Sequence, residues 1–281
     1  MLTKIKQFIN NFLIKKRKQR FISNHPGSSG IIKFRGCNFF AGLDRQNKIE
    51  TALLSGKDNY DIDNFSVISA FVRPGSVCFD IGANIGVYTV VMGKISGDKG
   101  FVHSFEPVPH IRSKLLANVS VNSHKSLCIN DFALGKEETS LEMFQVKDNQ
   151  YRGGTSTFIP NENISSMGTD KFNKVSVKVT TIDSYCRNND ISNVDFIKID
   201  VEGFERNVLS GGIEIITRHS PIILMEYDPI RHSNDREFFK SFFETHGYSI
   251  FEFSTFSGEL IISPFNFSGC PNGRNILCFK H

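Results

Sequence analysis

The residues best placed to do chemistry are acids beside glycines. Asp80-Ile81-Gly82-Ala83-Asn84-Ile85-Gly86 closes an apolar run that begins at Val77. A turn that leaves a strand and opens a helix needs glycine where the backbone takes left-handed angles or must approach a ligand closely, and Gly82 and Gly86 stand at such places. The spacing departs from the dinucleotide pattern G-x-G-x-x-G: Asn84 holds the middle glycine position and the helix-side glycine comes one residue early. Glu106 ends the next apolar run, twenty residues after Gly86, where an acid in such folds reaches a ribose diol. Taken singly, Asp80 could cap the following helix and Glu106 could be a surface acid ahead of Pro107. Together, at the ends of successive strands, they read as cofactor ligands. Two carboxylates flanking the turn would repel a pyrophosphate but suit a ligand that carries a sulfonium, an ammonium and a ribose.

The elements that must position these groups alternate along the chain. A helix is expected over roughly 62–72, capped by Asp61 or Asp63, with Phe65, Ile68, Phe71 and Val72 on its apolar face and Pro74-Gly75 as its stop. Strands follow at Val77 to Ile81, Phe101 to Phe105, Leu127-Cys128-Ile129, Val194 to Ile199 and Ile222-Ile223-Leu224-Met225. Helices are expected through about Met92, over roughly 109–121 and near 235–245, the last closed by Gly247 and carrying Phe238, Phe239, Phe242 and Phe243 as a core stripe. Stretches 248–254 and 275–279 read as final, antiparallel edge strands. The alternation predicts a Rossmann-like α/β fold, a mostly parallel sheet with helices on both faces. Residues from about 136 to 180 lack a helical period and read as a strand-rich insertion, with Gly153-Gly154-Thr155-Ser156-Thr157 as a candidate substrate lid. Ile31 to Phe34 is a short strand, and the Gly42 and Gly56 regions are turns.

Asp80 to Gly86, Phe105-Glu106-Pro107, the run Asp195-Phe196-Ile197-Lys198-Ile199-Asp200-Val201-Glu202-Gly203-Phe204-Glu205 and Ile223-Leu224-Met225-Glu226 resemble the FkbM-type family of S-adenosylmethionine-dependent methyltransferases. The resemblance covers roughly residues 58–255, and Lys-Ile-Asp-Val-Glu-Gly is its most specific element. It implies a seven-stranded class I methyltransferase fold, S-adenosylmethionine as cofactor, and O-methylation of hydroxyls on sugars, glycolipids, polysaccharides or polyketide-like secondary metabolites. It also implies that the Asp80-to-Gly86 turn, with Gly82, Ala83, Asn84 and Gly86, holds the methionine end, that Glu106 holds the ribose, and that Asp131 with Phe132 or Ala133 lies near the adenine. On this reading residues 1–57 are an N-terminal basic extension and irregular segment, and 58–281 are the methyltransferase domain, with the insertion at about 136–180.

A sulfonium methyl is already electrophilic, so the protein must place an oxygen in line with it and accept a proton. Candidate groups lie past the fourth and fifth strands: Asp200 and Glu202, then Glu226 and Asp228. Asp200 or Glu226 is the expected base, with Glu202 orienting substrate, although Glu202 could equally cap the helix that follows. Lys198 shares a strand face with Asp200 and could orient a carboxylate or stabilise oxyanion charge; the plainer alternative is a strand lysine whose head reaches solvent. His232, beside Arg231 in the loop after the fifth strand, is a further candidate base. Asp200, Glu202 and Glu226 could together hold a divalent cation. No metal is expected, because methyl transfer does not require one and no histidine joins the cluster.

Composition sets the remaining bounds. A chain of 281 residues, 40% hydrophobic and 22% charged, is long enough for one sizeable core and short for two enzymatic domains. Lys4, Lys6, Lys15, Lys16, Arg17, Lys18 and Arg20 are joined by no acid in the first twenty residues, so the formal charge of +4 belongs to this leader and the rest of the chain is mildly acidic. Nucleic acid is therefore not an expected partner; the expected acceptor is a small molecule or a glycan. Ile5, Phe8, Ile9, Phe12 and Leu13 fall at helical spacing, so residues 1–20 could rest on an anionic membrane surface or remain a solvated leader. No run reaches the roughly 18 apolar residues of a spanning helix. Cys37, Cys78, Cys128, Cys186, Cys270 and Cys278 form no C-x-x-C pair, which suits a reducing, cytoplasmic setting. Two other functions fit a related fold. A nicotinamide oxidoreductase or epimerase would need G-x-G-x-x-G and Tyr-x-x-x-Lys, which are absent, and a binding module without catalysis would hold the cofactor without turning it over.

Overall fold

The computed structural model describes residues 30–41, 48–54, 60–124, 126–146, 156–157, 172–270 and 272–280. The basic stretch 1–20, the Gly42 and Gly56 regions and Gly153 to Thr155 lie outside the described residues. A hairpin opens the described chain, β1 (Gly30–Phe34) and β2 (Cys37–Ala41), turned at Arg35-Gly36 where both residues are left-handed. Two helices follow, α1 (Lys48–Leu54) and α2 (Ile62–Phe71).

Apolar runs too continuous for a half-exposed strand must be covered on both faces, and five of them form the parallel middle of the main sheet. They are β3 (Val77–Ile81), β4 (Phe101–Phe105), β5 (Leu127–Asn130), β10 (Phe196–Ile199) and β11 (Ile222–Tyr227). The helices between them are α3 (Val87–Ser96), α4 (Pro109–Ser120), α5 (Ile182–Asn188), α6 (Glu205–Ser210) and α7 (Ile213–His219), with α8 (Arg236–Thr245) after β11. Side chains alternate across the sheet. Cys78, Val102, Phe196 and Leu224 pack with α2, α3, α4 and the hairpin, whereas Phe79, Phe105, Ile197 and Ile223 pack with α5, α6, α7 and α8. Phe239, Phe242 and Phe243 of the α8 stripe are buried in this second layer.

The main sheet has eight strands rather than the seven the sequence suggests. Its order is β13-β12-β14-β11-β10-β3-β4-β5, with β12 (Ser249–Phe256), β13 (Glu259–Pro264) and β14 (Arg274–Phe279) joined by antiparallel pairing. The extra strand is β13, paired to β12 through Ser257-Gly258, both with positive φ, as a two-residue hairpin turn requires. Between Ala133 and Thr180 the chain builds a separate four-stranded sheet, ordered β6-β9-β7-β8: β6 (Ala133–Leu134), β7 (Thr139–Val146), β8 (Ser156–Thr157) and β9 (Phe172–Thr180).

The hairpin is fastened to the glycine turn by one asparagine. Buried Asn118 of α4 accepts the Phe40 N–H at 2.7 Å and donates to the Ile85 carbonyl at 2.7 Å. Lys114 and Glu50, 2.7 Å apart, tie α4 to α1. Asn118→Ala leaves a half-buried N–H and a buried C=O without their partner, so it should lower the unfolding free energy by about 2 kcal/mol. Urea titration checks this; a loss within experimental scatter of zero would mean that the hairpin is held without Asn118, by apolar packing and the bonds between Asn38 and Asn122.

Candidate active site

Gly82 and Gly86 have φ of 80° and 84°, in the region that favours glycine. The Gly82 and Ala83 N–H groups both donate to the Phe105 carbonyl, at 3.1 and 3.0 Å, which draws the turn across the end of β4. A Cβ on Gly82 would lie 1.9 Å from the Asp200 carbonyl oxygen. The glycine turn and the end of β10, which the sequence presents as separate motifs, are thus in contact.

Asn84 is left-handed as well, with φ of 51°. Its N–H donates to Glu106 Oε2 at 3.0 Å, and Glu106 Oε1 accepts the Val108 N–H at 2.9 Å. Burial pushes the Glu106 carboxyl up to about 7, against those two bonds and the nearby Arg112. The Glu106 N–H donates to the Asn130 carbonyl at 3.1 Å, so the segment after β5 stands beside it. There Asp131 is exposed, Ala133 is buried in β6, and the half-buried Phe132 ring lies 5.9 Å from the rings of Phe105 and Tyr185.

Asp80 caps no helix. It is fully buried, and its Oδ2 accepts the Thr89 hydroxyl of α3 at 2.6 Å. Its Oδ1 has no hydrogen-bond partner, although Lys198 Nζ is 3.7 Å away. Burial raises the Asp80 carboxyl, with Lys198 and Thr89 opposing. The Lys198 head does not reach solvent: the residue is 3% exposed, and Nζ donates to Asp200 Oδ2 at 3.2 Å. Burial alone would lower its pKa, but the carboxylates of Asp200, Asp80 and Asp61 outweigh it and hold the ammonium above the ordinary lysine value.

Asp61 precedes α2 in left-handed backbone, φ 49° and ψ 42°, and its side chain makes no cap bond. Instead its carboxylate accepts Asn64 Nδ2 at 2.9 Å and the Tyr88 hydroxyl, and burial raises it. The alternative cap, Asp63, accepts the Thr255 N–H at 2.6 Å.

Glu202 and Glu226 meet at Arg231, with N···O distances of 2.9 and 2.5 Å. The cation between these acids is therefore a guanidinium, and among the described residues no group of three or more His, Cys, Asp or Glu is arranged for a metal. Burial pushes Glu202 up to about 7 against Arg231, and raises Glu226 with the help of Asp200. Asp228 spends Oδ1 on the N–H groups of Ile230 and Arg231, at 2.8 and 3.1 Å, shaping the loop.

His232 is no surface base: it is 0% exposed. Its Nδ1 accepts the Asp228 N–H at 2.9 Å, which leaves the proton on Nε2 to donate to Glu205 Oε2 at 2.7 Å. Glu205 Oε1 accepts the N–H groups of Val201 and Gly203 at 3.1 and 3.3 Å. The Glu205–His232 pair so joins the loop after β10 to the loop after β11. Sequence reasoning missed Glu205; an acid in the first turn of a helix was the available signal.

The glycine turn, with the buried Asp80 carboxylate beneath it, could take the charged end of a ligand, Glu106 a diol, and the Phe132 ring an aromatic base. This donor set fits S-adenosylmethionine. A family profile described as the methyltransferase FkbM domain matches residues 80–250. The chain belongs to the FkbM methyltransferase family. The cofactor of this FkbM protein is S-adenosylmethionine. No curated protein matches the chain. Among solved structures it is similar to an FkbM methyltransferase of Methylobacillus flagellatus KT, at 16% identity and TM-score 0.46, over 84% of this chain and 56% of that one. The chain thus spans little more than half that protein's length. It is also similar to a precorrin-6y C5,15-methyltransferase of Geobacter metallireducens GS-15 (12% identity, TM-score 0.41, 78% and 89% coverage). A third similar structure is M. jannaschii TYW2 in complex with AdoMet (13% identity, TM-score 0.40, 89% and 84% coverage).

Gly82→Ala should abolish S-adenosylmethionine binding, since its Cβ meets backbone, whereas Gly75→Ala, at φ 93° with nothing within 4 Å, should bind normally and lose only about 1 kcal/mol of stability. Calorimetric titration separates the two, and normal binding by Gly82→Ala would contradict the packing described. Glu106 binds its proton more tightly folded than unfolded. Its contribution to stability is therefore complete below the unfolded value near 4.5 and is lost as pH rises through about 7. The Tm of Glu106→Gln minus that of the wild type should accordingly climb between those pH values and level off above them; a flat or falling difference in apo-protein melts would refute the burial argument.

Proposed function

We propose that this FkbM-family protein is an S-adenosylmethionine-dependent O-methyltransferase whose acceptor is a hydroxyl of a sugar, a glycolipid or polysaccharide, or a related secondary metabolite. The observation that carries the proposal is the place of Asp200. Its carbonyl touches the glycine turn, one carboxylate oxygen is held by Lys198, and its side chain is 41% exposed. That is where an acceptor oxygen would stand beside the cofactor's reactive end. The bound cofactor supplies an electrophilic methyl group, which the acceptor oxygen takes while the C–S electron pair stays on sulfur.

Asp200 takes the hydroxyl proton, and Lys198 keeps the carboxylate turned toward it. Glu202 and Glu226, gripped by Arg231, offer acceptor atoms to neighbouring hydroxyls of the substrate. Asp80, Gly82, Ala83, Asn84 and Gly86 hold the methionine end, Glu106 the ribose, and Asp131, Phe132 and Ala133 border the adenine. Asp200→Ala should reduce methyl transfer by at least about a hundredfold while leaving cofactor affinity within about threefold. Glu226→Ala should act mainly by raising the acceptor KM. Transfer of labelled methyl to a panel of glycans and glycolipids provides the assay, with calorimetry alongside; undiminished transfer by Asp200→Ala would remove it as the base.

A further inference from the structure

Four side chains from four parts of the chain form a column that ends at Lys198. The Arg35 guanidinium carbon lies 4.7 Å from the centre of the Phe65 ring. Phe65 and Tyr88 stack at 4.8 Å with 17° between their planes. Lys198 Nζ sits 4.4 Å from the centre of the Tyr88 ring. The Tyr88 hydroxyl is fixed separately, donating to Asp61 and accepting Asn64 Nδ2 at 3.2 Å, so neither end of the tyrosine is free to turn.

A lysine ammonium on a four-carbon stem is not oriented by its carboxylates alone. Asp200 accepts one bond, Asp80 stands beyond hydrogen-bond reach at 3.7 Å, and Lys198 is buried. An aromatic face attracts a cation most strongly where water is excluded, which is the situation of Tyr88 over Lys198. The charged and titratable groups around the ammonium are Asp80 from β3, Asp200 from the end of β10, and Asp61 with Tyr60 before α2.

We propose that Tyr88 and Phe65 are positioning residues that hold the Lys198 ammonium between Asp80 and Asp200, so that Phe65, which precedes the matched FkbM residues, tunes cofactor affinity through Tyr88. A misplaced ammonium would stand where the cationic cofactor must bind and would leave Asp80 without its counter-charge. The inference depends on cofactor binding alone and is independent of the acceptor proposed above. Arg35 and Phe65 both precede residue 80, so the FkbM stretch does not build this site unaided.

Calorimetric titration with S-adenosylmethionine tests it in the full chain. Tyr88→Leu should weaken binding about tenfold, Tyr88→Phe should stay within about twofold of the wild type because the ring remains, and Phe65→Leu should weaken binding in the same direction as Tyr88→Leu. In a Lys198→Met background, where there is no ammonium to hold, Tyr88→Leu should change affinity by less than about twofold. Equal losses in both backgrounds would show that Tyr88 acts only through packing and would overturn the proposal, as would a loss on Tyr88→Phe as large as on Tyr88→Leu. Unfolding the wild type, the two single variants and the double variant in urea gives the Tyr88–Lys198 coupling without any ligand. A Lys198→Met protein that binds too weakly to titrate is therefore still informative: zero coupling there also overturns the proposal. Circular dichroism confirms that each variant is folded, and Phe65→Leu carries the test if Tyr88→Leu is not.

Discussion

The open end of the sheet is organised around one buried positive charge. A carboxylate taken out of water costs several kcal/mol unless a cation or hydrogen bonds compensate it. Asp80 is such a carboxylate, and Lys198 stands opposite it in the parallel pairing of β10 with β3, facing the same layer. Ser104 of β4 is next in that row, and its hydroxyl is 2.8 Å from that of Thr89, the donor to Asp80. Remove the ammonium and this polar row inside an apolar layer loses its justification. The row in turn decides where the glycine turn, α3 and the end of β10 can sit.

A second charge pattern governs the neighbouring rim. Arg231 joins Glu202 to Glu226, and His232 joins Glu205 to the same loop, so the ends of β10 and β11 are laced together by adjacent residues of one connection. Carboxylates that would repel each other share a counter-ion. Of the two cations, Lys198 belongs to a strand and is fixed by register, whereas Arg231 belongs to a loop whose conformation depends on Asp228 and His232.

How much of this was legible in the sequence follows from the range of each interaction. The Asp80-to-Gly86 turn, the Glu106 strand end and the shared face of Lys198 and Asp200 depend on neighbours within a few residues, and strand alternation exposes them. The fates of His232 and Asp61 do not. Whether a histidine in a polar loop is buried depends on Glu205, 27 residues away, and the Asp61 carboxylate left its expected capping role for Tyr88, 27 residues on. The contact of Asp63 with Thr255 spans 192 residues. The strand β13 was within reach, since Ser257-Gly258 lies between apolar positions, but the edge strands expected at 248–254 and 275–279 left the residues between them unassigned.

Asp61, Asn84 and Glu202 share an uncommon property: each is a non-glycine residue in left-handed backbone, and each lies at the site. Such conformations cost of order 1 kcal/mol apiece and persist only where surrounding contacts enforce them. Each is also tied by its side chain, Asp61 to Tyr88 and Asn64, Asn84 to the Ile85 N–H and Glu202 to Arg231. Glycine at any of the three would relax the backbone only by releasing those ties, so the same contacts that enforce the strain also keep the side chains in place.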